Sequence, residues 1–141
     1  MDIRLARSTD AAAISELLDQ LGYPGSDPTA RIQSWADDPD GAVYVADSGQ
    51  GLLGVIAVHT CPFFEREGTW ARIVALVVSD KSRRQGVGSR LIAAAETFAT
   101  THGCLRIEVT SSTHRTQAHT FYQSHGYTIT PTRFLRYLAN S

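Results

Sequence analysis

Hydrophobic positions along this chain change their period from one segment to the next, and each period predicts an element. Ile3 and Leu5 alternate with polar neighbours in "DIRLA" (2–6), a short strand. Ser8 or Thr9 can then cap a helix in which Ile14, Leu17, Leu18 and Leu21 share one face, and Gly22 with Pro24 ends it. A second helix is expected around 28–36, where Pro28 suits a first turn, Ile32 and Trp35 share a face, and "DDPDG" is the stop. "AVYVA" (42–46) and "LLGVIAVHT" (52–60), joined by "DSGQG", read as an antiparallel hairpin. "TWARIVALVV" (69–78) follows as a strand, and its unbroken apolar run from Ile73 to Val78 predicts burial on both faces at the sheet centre. From Gly86 onward, Val87, Leu91, Ala95 and Phe98 make a helical stripe closing at "THG", and "CLRIEVT" (104–110) returns to strict alternation. "RTQAHTFYQSHG" (115–126) places Ala118, Tyr122 and His125 on one helical face with Gly126 as C-terminal cap. "YTIT" and "RFLRYL", the latter near 133–138, are expected to finish as strands.

Alternating elements without an internal repeat predict a mixed α/β domain, and 141 residues with 43% hydrophobic composition are the size of one such domain with a sizeable core. We therefore expect a single domain over 1–141. Thirteen Lys and Arg against fourteen Asp and Glu leave a formal charge of -1. No global basic field argues for nucleic acid, so any anion site must be local. The opening "MDIRLARSTD" has no apolar h-region, and no apolar run approaches the ~20 residues of a membrane span. The expectation is a cytoplasmic protein with no membrane partner. Cys61 and Cys104 form no CxxC and are expected as reduced thiols, while His114 and His119 miss the i, i+4 spacing of a helical metal site, so no metal is expected.

Candidate chemistry concentrates in "VALVVSDKSRRQGVGSRLI", where a buried strand runs through a short charged turn into a helix start. A helix N-terminus presents unpaired N–H groups and the positive end of the macrodipole, which suits an anion. Gly86 and Gly88 remove side chains that would hold phosphate oxygens away, and Arg83 and Arg84 add charge at the rim. A dinucleotide fingerprint would need a third glycine where Leu91 stands, and a Walker A loop would need Gly-Lys-Ser/Thr where Gly88-Ser89-Arg90 stands.

Arg83-Arg84-Gln85-Gly86-Val87-Gly88 resembles the Q/R-x-x-G-x-G/A acetyl-coenzyme A motif of the GNAT N-acetyltransferases, and "AHTFYQSHGY" resembles that family's C-terminal helix. The order of elements over nearly the whole chain is similar too. Within the family, "TSSTHRTQAHTFY" looks most like the small bacterial enzymes that include aminoalkylphosphonate acetyltransferases. The resemblance implies the GNAT acyltransferase fold: a mostly antiparallel twisted sheet, flanked by about four helices, whose central strand bulges and splays between the fourth and fifth strands. It further implies that backbone groups at Leu76, Val77 and Val78 pair with the pantetheine arm, while the amides from Arg84 through Gln85, Gly86, Val87 and Gly88 to Ser89 hold the pyrophosphate. By the same resemblance Tyr122 is the side chain that protonates the departing thiolate of coenzyme A, in a direct transfer from acetyl-CoA to a primary amine of a small molecule or a peptide.

The acceptor amine must also lose a proton, since an amine with a reference pKa near 10.4 is only about one part in 10³ neutral at pH 7. Many relatives carry a glutamate on the central strand where Arg72 and Ala75 stand here. Glu65, Glu67, His59 and Glu108 are the substitutes the chain offers, and the sequence assigns none of them. Where many relatives have Asn, Arg115 begins the last helix. No cysteine–histidine arrangement suggests a covalent acyl-enzyme. A non-catalytic acyl-coenzyme A binding module that kept the cradle is the alternative function. A homodimer is expected from the apolar, edge-like "RFLRYL".

Overall fold

The computed structural model describes residues 1–83, 85–110, 116–130 and 133–139. It divides into two units, Met1–Thr110 and Ser111–Ser141. The first holds strands β1 (Asp2–Leu5), β2 (Gly41–Asp47), β3 (Leu52–Pro62), β4 (Thr69–Val78) and β5 (Cys104–Val109), with helices α1 (Ala11–Leu21), α2 (Thr29–Asp37) and α3 (Val87–Thr101). Among the described residues the strands make one sheet in the order β1-β2-β3-β4-β5. Neighbours from β1 to β4 are antiparallel, whereas β4 and β5 are parallel because α3 carries the chain back to the same end of the sheet.

Period decides which face each helix covers. Ile14 and Leu17 of α1 and Ile32 of α2 close over Val45, Val55 and Val77 on one face. Val87, Leu91, Ile92 and Ala95 of α3 are buried on the other, the three larger side chains contributing about 1.5–3 kcal/mol each relative to exposure. Helix α3 seats closely because Gly54 on β3 has no side chain: a Cβ there would stand 2.8 Å from the Val77 carbonyl oxygen and 2.9 Å from Leu91 Cδ1. Gly54→Ala is therefore expected to destabilise the fold by about 1–3 kcal/mol, since backbone sits on one side of the new methyl and a packed leucine on the other. Thermal melting of the variant checks this; an unchanged midpoint would show that α3 yields without cost.

Two sequence expectations change at this level. Helix α1 is not capped by Ser8 or Thr9, because residues Ser8–Asp10 form a 3-10 turn that moves the helix start to Ala11. Asp10 instead accepts the Arg7 N–H at 2.8 Å and both Arg4 Nη groups at 2.8 Å, while Arg4 Nε reaches Asp47 at 3.1 Å. The Arg4 hydrogen bonds hold the Asp10 carboxyl below its ordinary range. The apolar run in β4 is also not buried throughout. Val58 stands opposite Ile73 and Ala57 opposite Ala75, so Val74 is a bulged residue without a partner on β3, and it is half exposed.

In the second unit, α4 spans Thr116–Ser124. Tyr127 N–H bonds back to the Tyr122 carbonyl at 3.1 Å and Gly126 N–H to the Gln123 carbonyl at 3.1 Å, closing the helix. The expected terminal strands are not formed: 127–130 and 133–137 are irregular. Apolar alternation fixes which face of a strand is apolar, but a strand exists only where a neighbour completes its hydrogen bonds, and neither segment has one among the described residues.

Candidate functional site

Beyond the bulge, β4 keeps one strand neighbour among the described residues. Its parallel pairing with β5 ends at Ile73 opposite Val109, while pairing with β3 continues to Val78 opposite Gly54. Leu76, Val77 and Val78 therefore turn alternate backbone N–H and C=O groups toward a side with no strand among the described residues, an edge that an extended amide chain can complete. The chain leaves this edge through a 3-10 turn at Asp80–Ser82, pinned by the Ser79 N–H on the Leu53 carbonyl at 2.8 Å, and enters α3 at Gly86.

Gly86 is the N-cap of α3 and lies in the left-handed region, φ 78° and ψ 10°. A Cβ built on it would meet nothing within 4 Å, so the space ahead of the helix is open. The first helical bond runs from Arg90 N–H to the Gly86 carbonyl at 3.2 Å, and the N–H groups of Val87 and Gly88 have no intrahelical acceptor. An anion placed in that space meets amide donors and the helix dipole together. Val87 and Gly88 are buried, Ser89 is half-buried and Gln85 is exposed. Arg83 is less available than its position suggests, because its Nη2 lies 2.7 Å from Asp80 Oδ1. Both groups are exposed, so the pair is weak and a phosphate can displace it. Arg84 and Arg115 lie outside the described residues.

A second set of polar groups stands on the α1/α2 face of the sheet, next to the bulge. His59 on β3 is opposite Arg72 on β4, and Arg72 is opposite Glu108 on β5. Arg72 donates to Glu108 Oε1 through Nη2 at 2.7 Å and Nε at 3.2 Å, and its guanidinium lies 5.0 Å over the Trp70 ring. His59 Nε2 meets Asp38 Oδ2 at 3.0 Å, and the Asp40 N–H donates to Asp38 Oδ1 at 2.9 Å. Those two hydrogen bonds, the Asp40 one first, hold the Asp38 carboxyl below its ordinary range. Trp35 of α2 meets the imidazole edge-on, with centroids 5.6 Å apart. Of the four substitute bases, Glu108 is thus ion-paired and Glu65 and Glu67 lie in the exposed 63–68 loop, whereas His59 is held by a carboxylate.

Tyr122, in the second unit, is half-buried between ring neighbours, with Phe121 at 5.4 Å and Tyr127 at 5.8 Å. Sequence reading singled out the glycines, the β4 backbone and Tyr122 but passed over Asp38. The available signal was the "DDPDG" turn, taken only as a helix stop; the turn's Asp40 carbonyl also accepts the Thr60 N–H at 2.8 Å and so delivers Asp38 to β3.

The family model described as "Acetyltransferase (GNAT) family" matches residues 11–127. An uncharacterized N-acetyltransferase, YhfO, of Bacillus subtilis (strain 168) is 27% identical over 149 residues, covering 99% of this chain and 97% of its own. Among solved structures, a transcriptional regulator from Bacillus halodurans C-125 superposes with a TM-score of 0.87 at 22% identity, over 97% of this chain and 99% of that one. A GNAT family acetyltransferase of Staphylococcus aureus subsp. aureus USA300_TCH1516 does so with a TM-score of 0.81 at 23% identity, over 97% and 98%.

Proposed function

The chain belongs to the acetyltransferase (GNAT) family and is an acyl-transferring enzyme, and on that premise we propose that it moves the acetyl group of acetyl-coenzyme A directly to a primary amine of a small molecule, as one domain over 1–141. The observation that carries this reading is the β4 edge from Ala75 to Val78, which among the described residues has a strand on one side only and leads within one short turn to the Gly86 cradle. The pantetheine amides complete the hydrogen bonds of Leu76, Val77 and Val78, and the pyrophosphate takes the N–H groups from Arg84 to Ser89 with Arg83 at the rim. Acetyl-coenzyme A supplies the activated thioester. A backbone N–H at the bulge polarises its carbonyl, and Tyr122 gives a proton to the sulfur as the C–S bond breaks.

The acceptor class nearest in sequence character is that of the aminoalkylphosphonate-type enzymes, the site of action cytoplasmic and the assembly a homodimer. No helix among the described residues is long and apolar enough to cross a membrane. Thiol release from acetyl-coenzyme A across a panel of primary amines tests the reading: release with at least one amine, first order in enzyme, is expected. Tight acetyl-coenzyme A binding with no release for any amine would replace it with the binding-module alternative.

A further inference from the structure

We propose that His59 is the base that takes the proton from the acceptor ammonium, with Asp38 setting its tautomer. This rests on the acetyl-transfer reading and deepens it. The argument begins with Asp38, whose Oδ1 is occupied by the Asp40 N–H and whose Oδ2 faces His59 Nε2 at 3.0 Å. An ionised carboxylate only accepts, so the proton of neutral His59 sits on Nε2 and the basic lone pair sits on Nδ1. The ring is fixed from two further sides. Trp35 packs edge-on against it, and Gly41 leaves room for it, since a Cβ there would come within 3.0 Å of both His59 Cδ2 and Trp35 Cε3. Yet the His59 side chain remains 41% exposed. A ring held this firmly with one open nitrogen is built for proton transfer.

Its position suits the reaction. His59 stands opposite Arg72, and the next pairs along β3 and β4 bracket the Val74 bulge where β5 pairing ends. One inter-strand spacing, about 4.8 Å, separates β3 from β4. The bulge lies two residues beyond Arg72 on that neighbouring strand, so an amine over this face with its nitrogen at the bulge is within reach of the imidazole through one water. The charged groups around His59 are Asp38 and Asp40 from the turn before β2, Arg72 from β4 and, behind it, Glu108 from β5. Arg72 engages Glu108 Oε1 through both Nη2 and Nε, so that carboxylate oxygen is occupied by the guanidinium.

The protons balance. The ammonium gives one proton to His59 Nδ1, and the neutral nitrogen attacks the thioester carbon, forming the C–N bond. The C–S bond breaks, the sulfur takes a proton from the general acid of the acetyl-transfer reading, and the excess proton on nitrogen restores that acid. His59 then releases its proton to solvent.

Asp38→Asn is the test, because the new amide keeps an oxygen for the Asp40 N–H but presents N–H to His59 Nε2, moving the imidazole proton to Nδ1. ¹⁵N spectra of the neutral His59 imidazole are expected to show the Nε2-protonated form in the parent and the Nδ1-protonated form in the variant. With an amine that the parent acetylates, kcat/KM is expected to fall tenfold or more, acetyl-coenzyme A affinity and melting temperature to stay, and the acid limb of the parent's pH profile to be absent in His59→Gln. An Nδ1-protonated parent, or parent-like kcat/KM in Asp38→Asn, overturns the proposal while leaving acetyl transfer standing. A parent that releases no thiol with any amine sinks the acetyl-transfer reading, and this one with it.

Discussion

Gly86→Val is expected to weaken acetyl-coenzyme A binding by about 100-fold or more, while α3 stays folded. Two separate costs meet at this residue. At φ 78° a β-branched residue is strained by about 1–2 kcal/mol in the free protein, whatever the surroundings. That cost lowers stability and does not by itself lower affinity. The second cost appears only on binding. A Cβ at Gly86 meets nothing within 4 Å in the protein, so the valine branches occupy the space into which the Val87 and Gly88 amides would receive a phosphate. Losing two charge-assisted hydrogen bonds at about 1.5 kcal/mol each corresponds to roughly 100-fold in affinity. Calorimetric titration and circular dichroism on the same sample separate the two. A lowered melting temperature with parent-like affinity would assign Gly86 to backbone geometry alone and remove the cradle from the mechanism.

Tyr122→Phe is expected to lower kcat and kcat/KM together by about 10²-fold, the low end of a general acid's contribution. The substitution deletes one hydroxyl and keeps the ring, so the contacts to Phe121 and Tyr127 survive. Acetyl-coenzyme A affinity should be unchanged because the hydroxyl acts on the leaving sulfur only in the transition state. A tyrosine that merely packs its helix behaves otherwise: stability moves by about 1 kcal/mol and turnover of the folded fraction is preserved. Steady-state kinetics beside a melting curve distinguish the outcomes, and parent-like turnover ends the acid role.

What the sequence made legible was local. The stripe of Val87, Leu91 and Ala95 announced α3, and Gly86 announced its start, because period and backbone freedom are properties of neighbouring residues. The β4 bulge was expected only from the family resemblance; the residue pattern did not mark its position, since Val74 suits a regular strand as well as a bulged one. Gly54 was equally silent: its need for no side chain comes from Leu91 and the Val77 carbonyl, distant in the chain. The Asp38–His59 pair joins residues 21 apart through a helix stop and a strand, a juxtaposition that only the folded turn creates. The terminal segments erred the other way. Their apolar alternation was real, but pairing is decided by a neighbour and not by the segment itself.

The bulge at Val74 has a consequence for insertions and deletions. Before it, Trp70 and Arg72 look toward the α1/α2 face; after it, Ala75 and Val77 look the same way, a phase that unbroken alternation forbids. A chain one residue shorter here would make a more regular strand and a worse protein. Either Arg72 would swing under α3, or Val77 would leave the cluster of Ile14 and Leu17. Val74 is half exposed and replaceable in kind by many side chains, yet it is not replaceable in number. Loss of a single codon at this point therefore turns one half of the strand over, which no substitution of Val74 does, and natural variation in this strand should appear as changes of letter at constant length.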